Sequence, residues 1–528
     1  MCPGSRPFSN VFVDRQFVSL MSTLSSRSKP IAISVQNASA CARVLHTFNQ
    51  APTPIRVITA TSVQLEEANK MFRSCVAVVV AACAVGLAVN FYYQRIPKLP
   101  NLDYGRWWGE GARPQHEDTS IRPFKIVFND TMIEDLKSRL RSRRAFTRPM
   151  DGIHSEYGMN TVYLDKILQY WLKEYNFKAR AERLNRFPHF KTRVQGLDIH
   201  YIRVKPEVTS GVKVLPLLMM HGWPSSSKEF DMAIPLLTKQ RKGYDFVFEV
   251  IAVDLPGFGY SEGTNKPGLN PLQIAIIMKN LMTRLGHQRF YVQAGDWGSQ
   301  AATHMATIYQ DDILGFHTNM PFSSRQISTI KYFIGSLFPS LFVKDQHIHR
   351  LYPIRDLFTY LMRESGYFHL QATKPDTIGA ALTDTPSGMA AYMLEKIGIC
   401  SNRNQLNTAH GGLENIAVDD LLDTVTIMWD NESITRSMRL YAEAFAWPEV
   451  FVVHDIPTRV PTAAMNFLHE VVYQPDWILR DKFVNLVHST TLDFGGHFAA
   501  MHTPKELVDD IFESVAVFNE FNADRSRI

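Results

Sequence analysis

The period of the apolar positions changes repeatedly along the 528-residue chain, and each change predicts a different kind of structure. Residues 75–93 are almost continuously apolar, broken by Asn90 and flanked on both sides by basic residues. A run of this kind reaches across a bilayer core, which takes about 17–25 residues. Region 121–190 reads as mainly helical, with helical spacing clearest at 131–144 and 163–175. Strict alternation follows at 190–194 and 197–204 around Gln195-Gly196, a hairpin signal. Strand patterns at 214–220, 248–253, 290–294 and 313–317 then interleave with helical patterns at 228–237, 272–285 and 300–309. This predicts an α/β unit, a mostly parallel sheet covered by helices. Between 321 and 424 the interleaving stops and helical, aromatic-rich sequence takes over; strands at 459–467 and 483–492 and a helix at 504–518 resume it. A helical stretch interrupting an α/β core has the form of a lid over an active site.

The pattern divides the chain into an extension (1–70), a membrane anchor (71–95), an N-terminal helical and hairpin region (96–205), the first core part (206–320), a helical lid (321–430) and the second core part (431–528). The extension is acid-poor and Ser- and Arg-bearing; Met71, just before the apolar run, is a natural starting point. For a cleaved signal the run is long and lacks a small-x-small site after it, and few soluble helices are apolar on every face. A slight basic excess beyond it, at Arg106 and Arg113, favours a cytoplasmic catalytic domain on a single-pass anchor. Glycans at the sequons Asn129-Asp130-Thr131 or Asn431-Glu432-Ser433 would reverse that orientation.

Composition narrows the function. A net charge of +5 without a dense Lys/Arg block argues against nucleic acid as a partner. Of five cysteines only Cys400 falls in the globular part, which excludes a disulfide framework or a cysteine-built metal site. Nothing in the sequence fixes an oligomeric state.

The chemistry concentrates at Gly295-Asp296-Trp297-Gly298-Ser299. An apolar strand pattern ends in small residues, presents one acid and enters a helix: a nucleophile elbow with Asp where Ser is usual. A carboxylate at a helix N-terminus is ionised, and it can attack an electrophilic carbon to leave an ester on the enzyme. Asp is also a common N-cap, so the elbow needs partners. His221-Gly222-Trp223-Pro224 follows a strand directly, and turns of this type donate a backbone N–H to an oxyanion. The two donors would be the N–H groups of Trp223 and Trp297. His497, on the loop Phe494-Gly495-Gly496-His497, comes last in chain order, as the base of such a triad does. Glu470 follows the preceding strand as its acid partner, with Asp476 the nearest competitor. Gly259-Tyr260-Ser261-Glu262-Gly263 matches the serine-hydrolase pattern literally, but it sits in a loop with no helix behind it, which argues against Ser261 as nucleophile.

With His221-Gly222-Trp223-Pro224, Gly295-Asp296-Trp297-Gly298-Ser299 and Gly496-His497-Phe498 in this order, the chain resembles the microsomal-type epoxide hydrolases, insect juvenile hormone epoxide hydrolases among them. Arg106-Trp107-Trp108-Gly109, Glu364-Ser365-Gly366-Tyr367 and Arg439-Leu440-Tyr441 belong to the same resemblance, which runs from about residue 99 to the C-terminus. It implies an α/β-hydrolase fold and assigns Asp296 as nucleophile, His497 as base and Glu470 as charge-relay acid. It also implies that Tyr367 and Tyr441 hydrogen-bond the epoxide oxygen, a task suited to a phenol that stays protonated at neutral pH. The substrate would be a small lipophilic epoxide, xenobiotic or juvenile hormone, with water as second reactant. A vicinal diol would be the product and no metal or organic cofactor would be needed. The expected location is the endoplasmic reticulum membrane. A haloalkane dehalogenase-like hydrolase and an inactive membrane-tethered carrier of hydrophobic ligands are the rival readings.

Overall fold

The computed structural model describes residues 96–525. Among them no helix is long and apolar enough to cross a membrane; the apolar run at 75–93 lies outside them.

Among the described residues nine strands form one sheet: β1 Ile121–Phe124, β2 His189–Val194, β3 Leu197–Val204, β4 Lys213–Met220, β5 Phe246–Val253, β6 Phe290–Ala294, β7 Ile313–Thr318, β8 Thr462–Asn466 and β9 Leu486–Thr491. Their order is β1-β2-β3-β5-β4-β6-β7-β8-β9. The first three strands and the β3–β5 pair are antiparallel, and every pair from β5 through β4 to β9 is parallel. Parallel strands must be covered on both faces, and β5 is accordingly buried at every residue. Alternate residues of β4 feed the two sides. Leu218 and Met220 join the core under helices Pro271–Arg284 and Asp296–Ile308, while Leu217 and Met219 join that under helix Pro504–Arg525.

The β2–β3 hairpin turns through Gln195 (φ 52°) and Gly196 (φ 88°), as the alternation predicts. Strand β1 does not follow from the sequence pattern, which makes its region helical. Its four mostly exposed residues include Pro123, which has no N–H for the ladder, and are too few to show an alternation; pairing with β2 holds them extended. Helices Asp130–Ser142, Thr161–Lys173 and Phe177–Leu184 each begin at an Asn whose side chain accepts backbone N–H groups of the first turn.

Between β7 and β8 the chain is helical from Gln326 to Asp455, past the boundary that the apolar pattern sets at 430. Helix Ile434–Ala446, which carries Tyr441, is therefore continuous with the insertion rather than with the core strands. The N-terminal helices grip this insertion from behind. Tyr175 donates to Asp423 at 2.8 Å, Trp171 to Thr426 at 3.1 Å, and Arg180 forms ion pairs with Asp419, Asp420 and Asp423.

Candidate active site

The C-terminal ends of the parallel strands meet at one edge, where loops rather than ladder bonds decide side-chain direction. Met220 of β4 pairs with Ala294 of β6, so the turn after β4 lies against the turn after β6. The helix after β6 starts at Asp296 itself, with φ +45° there, a left-handed conformation unusual for a residue with a Cβ. Close approach makes the flanking glycines obligatory. A Cβ on Gly222 would fall 2.0 Å from Asp296 Oδ1, and one on Gly298 would fall 2.4 Å from the Met220 carbonyl oxygen.

The two carboxylate oxygens of Asp296 have different partners. The Trp223 N–H donates to Oδ1 at 2.7 Å, and His497 Nε2 stands 3.6 Å from Oδ2. His497 Nδ1 lies 2.6 Å from Glu470 Oε1, and that oxygen also accepts the Val471 N–H at 2.7 Å. The loops carrying Glu470 and His497 are joined by backbone bonds from Leu468 to Phe494 and from His469 to Gly495. His497 itself is tied to the insertion through its N–H, which donates to the Cys400 carbonyl at 2.9 Å. Asp476, the competing acid, instead accepts from Ser489 at 2.7 Å.

Burial lifts the Asp296 pKa above the ordinary carboxylate value, while His497 and the N–H groups of Trp223 and Trp297 pull the other way. Burial also disfavours charge on His497, yet the adjoining Glu470 carboxylate, with Asp296 and Glu229 nearby, raises its pKa to about 9. The resting imidazole is thus held in its protonated form at neutral pH. Glu229, to which no motif pointed, is buried beside the pair, and burial raises its own carboxyl to about 7.

Tyr367 and Tyr441, from two different helices of the insertion, meet over the elbow. Tyr367 stacks on Trp223 (5.7 Å between centroids), and Tyr441 stands edge-on to Trp297 at 4.7 Å. Burial pushes both phenols well above 10, so neither ionises near neutrality. They line, with Asp296 and Trp297, a cavity of about 670 Å³ whose wall includes Phe322, Phe368, Phe445 and Phe451 and also the polar side chains of Tyr360 and Glu364. Gln300, His304 and His454 also line it. The first two lie one and two turns beyond Asp296, and the i, i+4, i+8 spacing could have flagged them; nothing in the sequence marks His454.

Ser261 lies elsewhere. Wholly buried, it donates to the Asp254 carbonyl at 2.7 Å and accepts the His200 N–H at 2.9 Å.

The model for the epoxide hydrolase N terminus matches residues 121–230, and the model for the alpha/beta hydrolase fold matches residues 216–345. Juvenile hormone epoxide hydrolase of Manduca sexta is 66% identical over 446 residues, 84% of this chain and 96% of that protein. The chain belongs to the microsomal-type epoxide hydrolase family. Epoxide hydrolase 1 of Sus scrofa is 40% identical over 82% of this chain and 97% of its own length. The crystal structure of juvenile hormone epoxide hydrolase from the silkworm Bombyx mori superposes with a TM-score of 0.78 at 43% identity, covering 80% of this chain and all of that one. The enzyme is therefore an epoxide hydrolase on an α/β-hydrolase fold.

Proposed function

We propose that the enzyme opens lipophilic epoxides, juvenile hormone or xenobiotic, through an ester on Asp296 and releases vicinal diols. The unequal partnering of the Asp296 oxygens carries this reading: one oxygen is held by a backbone N–H, the other faces the imidazole and the cavity.

Oδ2 attacks an oxirane carbon, and the C–O bond breaks toward the oxygen held by Tyr367 and Tyr441. The alkoxide takes a phenolic proton, and the phenol is refilled from the His497 imidazolium. Esterification removes the negative charge of Asp296, one of the influences that keep His497 protonated. The imidazole is then neutral with Glu470 behind it, and it deprotonates a water that attacks the ester carbonyl. Charge develops on Oδ1, which accepts the Trp223 N–H, with the Trp297 N–H bonded to the same carboxyl as the second donor; one such donor typically contributes roughly 2.7–4 kcal/mol. Collapse expels the diol, whose oxygen takes the proton left on the new carboxyl group, and the carboxylate–imidazolium pair returns. The helices between β7 and β8 act as the lid over this chemistry.

Tethering to the endoplasmic reticulum membrane through residues 75–93, with the catalytic part on the cytoplasmic side, completes the proposal. The insertion exposes Phe333, Leu337, Phe338, Leu341, Phe358 and Met362, which suits an enzyme working at a lipid surface. Asn431 is engaged through its amide nitrogen with the Gly259 carbonyl, the atom a glycan would need. Glycosidase-sensitive mass at Asn129 or Asn431 would reverse this orientation.

Single turnover in ¹⁸O-water tests the mechanism. Heavy oxygen is expected in the Asp296 peptide; label appearing only in the diol after the first cycle would rule the ester out.

A further inference from the structure

Strand β8 ends at Asn466, paired with Thr491, and Glu470 stands beyond that pair, on the loop that follows. How this loop is held decides where the carboxylate points. Its N–H groups at Leu468 and His469 are taken by the His497 loop, and its carbonyls are taken by the helical insertion. Arg350, the last residue of the short helix Asp345–Arg350, donates to the Phe467 carbonyl at 2.6 Å. Arg403 donates from one nitrogen to two carbonyls, that of Leu468 at 3.1 Å and that of Glu470 itself at 2.9 Å.

The same stretch of the insertion holds the imidazole side. Arg403 directly follows helix Pro386–Asn402, and near the end of that helix the Cys400 carbonyl accepts the His497 N–H at 2.9 Å. A Cβ on Gly496 would fall 2.4 Å from that carbonyl oxygen, so glycine there lets the His497 loop come this close. Cys400 and Arg403 thus grip the two loops whose side chains meet at 2.6 Å, Glu470 Oε1 against His497 Nδ1. Among the described residues neither arginine forms an ion pair. Their other contacts are aromatic faces, Tyr473 at 4.0 Å from Arg350 and Tyr360 at 5.1 Å from Arg403. Burial lowers the Arg350 pKa to about 10, which leaves it charged at neutral pH. A guanidinium buried without an acid is costly; what it offers over a neutral side chain is a rigid fork that fixes its acceptors in direction as well as distance.

We infer that Arg403, seconded by Arg350, is a positioning residue for the reaction: holding the carbonyls of Phe467, Leu468 and Glu470 from the insertion side, the two keep Glu470 Oε1 on His497 Nδ1. The inference rests on the two-step reaction proposed above and adds that the insertion, besides covering the cavity, sets the geometry of the base. Ester hydrolysis is the step exposed to it, because there the neutral imidazole must be aimed at a water by the acid behind it. Attack by Asp296 on the epoxide needs no such aim.

Single turnover of a long-chain terminal alkyl epoxide by the full chain, with the two steps followed separately, tests it. Arg403→Met is expected to slow ester hydrolysis by about 10- to 100-fold, the cost of a misplaced group, while ester formation is nearly unchanged, so that the ester accumulates. Arg403→Lys, which keeps a charged donor, should recover much of the loss. In a Glu470→Gln background Arg403→Met should have little further effect, because the acid it positions is gone. Ester hydrolysis at the wild-type rate in Arg403→Met would overturn the inference. So would a loss of equal size in the Glu470→Gln background, or a smaller active fraction with wild-type rate constants, which marks a role in folding alone. Should Arg403→Met fail to fold, Arg350→Met with and without Glu470→Gln makes the same comparison. A wild type that turns the epoxide over without forming an ester would overturn the proposed mechanism and this inference with it.

Discussion

Two of the carboxylate–imidazole chains on this sheet, one through Asp254 and one through Glu470, differ in whether the protein uses every donor and acceptor itself. In the first, Asp254 takes the Ser227 N–H at 2.6 Å on one oxygen and the Tyr260 N–H and His200 Nδ1, each at 2.7 Å, on the other. His200 Nε2 meets His189 Nδ1 at 2.9 Å, and His189 Nε2 meets the Leu184 carbonyl at 2.8 Å. The line runs unbroken from the core to the end of helix Phe177–Leu184. Burial opposes charge on Asp254, but His200 and the N–H groups hold its carboxyl well below the usual range. In the second chain Glu470 and His497 are as tightly joined, but the line stops 3.6 Å short at Asp296 Oδ2, beside the cavity. The residue types and the burial are alike. A chain that closes on itself holds the fold, and one that stops beside a cavity can bind and transform something else.

Mutations should separate the two chains, the largest effect coming from the one that stops short. Asp296→Ala removes the proposed nucleophile and should lower kcat by roughly 10⁴-fold or more, as loss of the central group of a catalytic unit does. Because it also removes a carboxylate that burial disfavours, its melting temperature should hold or rise; a large loss of both activity and melting temperature would make Asp296 a structural cap. His497→Gln should lower steady-state turnover by about 10⁴-fold by blocking ester hydrolysis more than ester formation, which loses only the proton that refills the phenol, so that mass spectrometry finds a substrate adduct on the elbow peptide. In the wild type the sign of the pH effect follows from the charges. The resting His497 pKa of about 9 includes the pull of the Asp296 anion, which the ester lacks. Ester decay in single turnover should therefore rise with pH through a value below 9. Tyr367→Phe and Tyr441→Phe should each cost about 10²-fold in kcat, the range for one lost donor to a developing oxyanion, and the double variant more. A tyrosine whose loss changes only KM would be a wall of the cavity instead.

The closed chain should answer in stability instead of rate. Asp254→Asn breaks a buried charged network and should cost about 3–5 kcal/mol, read by denaturant unfolding, with kcat on the surviving folded protein unchanged. With a folded pKa below its unfolded value, Asp254 contributes stability that is present at neutral pH and lost as pH falls toward that lowered value. Ser261→Ala should be the mildest, about 1–3 kcal/mol for an acceptor left unmet and no loss of turnover. A kcat collapse in Ser261→Ala would return the serine to the list of nucleophiles.

Much of this was legible in the residues. The elbow, the His-Gly-Trp turn and the Gly-Gly-His loop each sit where an apolar strand pattern ends, so local sequence brought Asp296, Trp223 and His497 to one sheet edge. Gln195-Gly196 announced its turn because both residues need positive φ there. Strand β1 was not legible, since its extended form comes from β2 and not from Ile121-Arg122-Pro123-Phe124. The helical insertion also outran its expected end, because a boundary between helices leaves no change of period to read.

What the sequence by itself determined is therefore the set of candidate reacting groups and the strand ends that bear them, because turns and strand periodicity are local properties. Only the tertiary structure decided which acid chain stays closed and which stops beside the cavity, that Tyr367 and Tyr441 converge over Asp296, that His497 rests protonated, and that His304 and His454 meet on the cavity wall. Those outcomes depend on distance and burial between residues far apart in the chain, and Coulomb interaction and desolvation act through space without regard to sequence order.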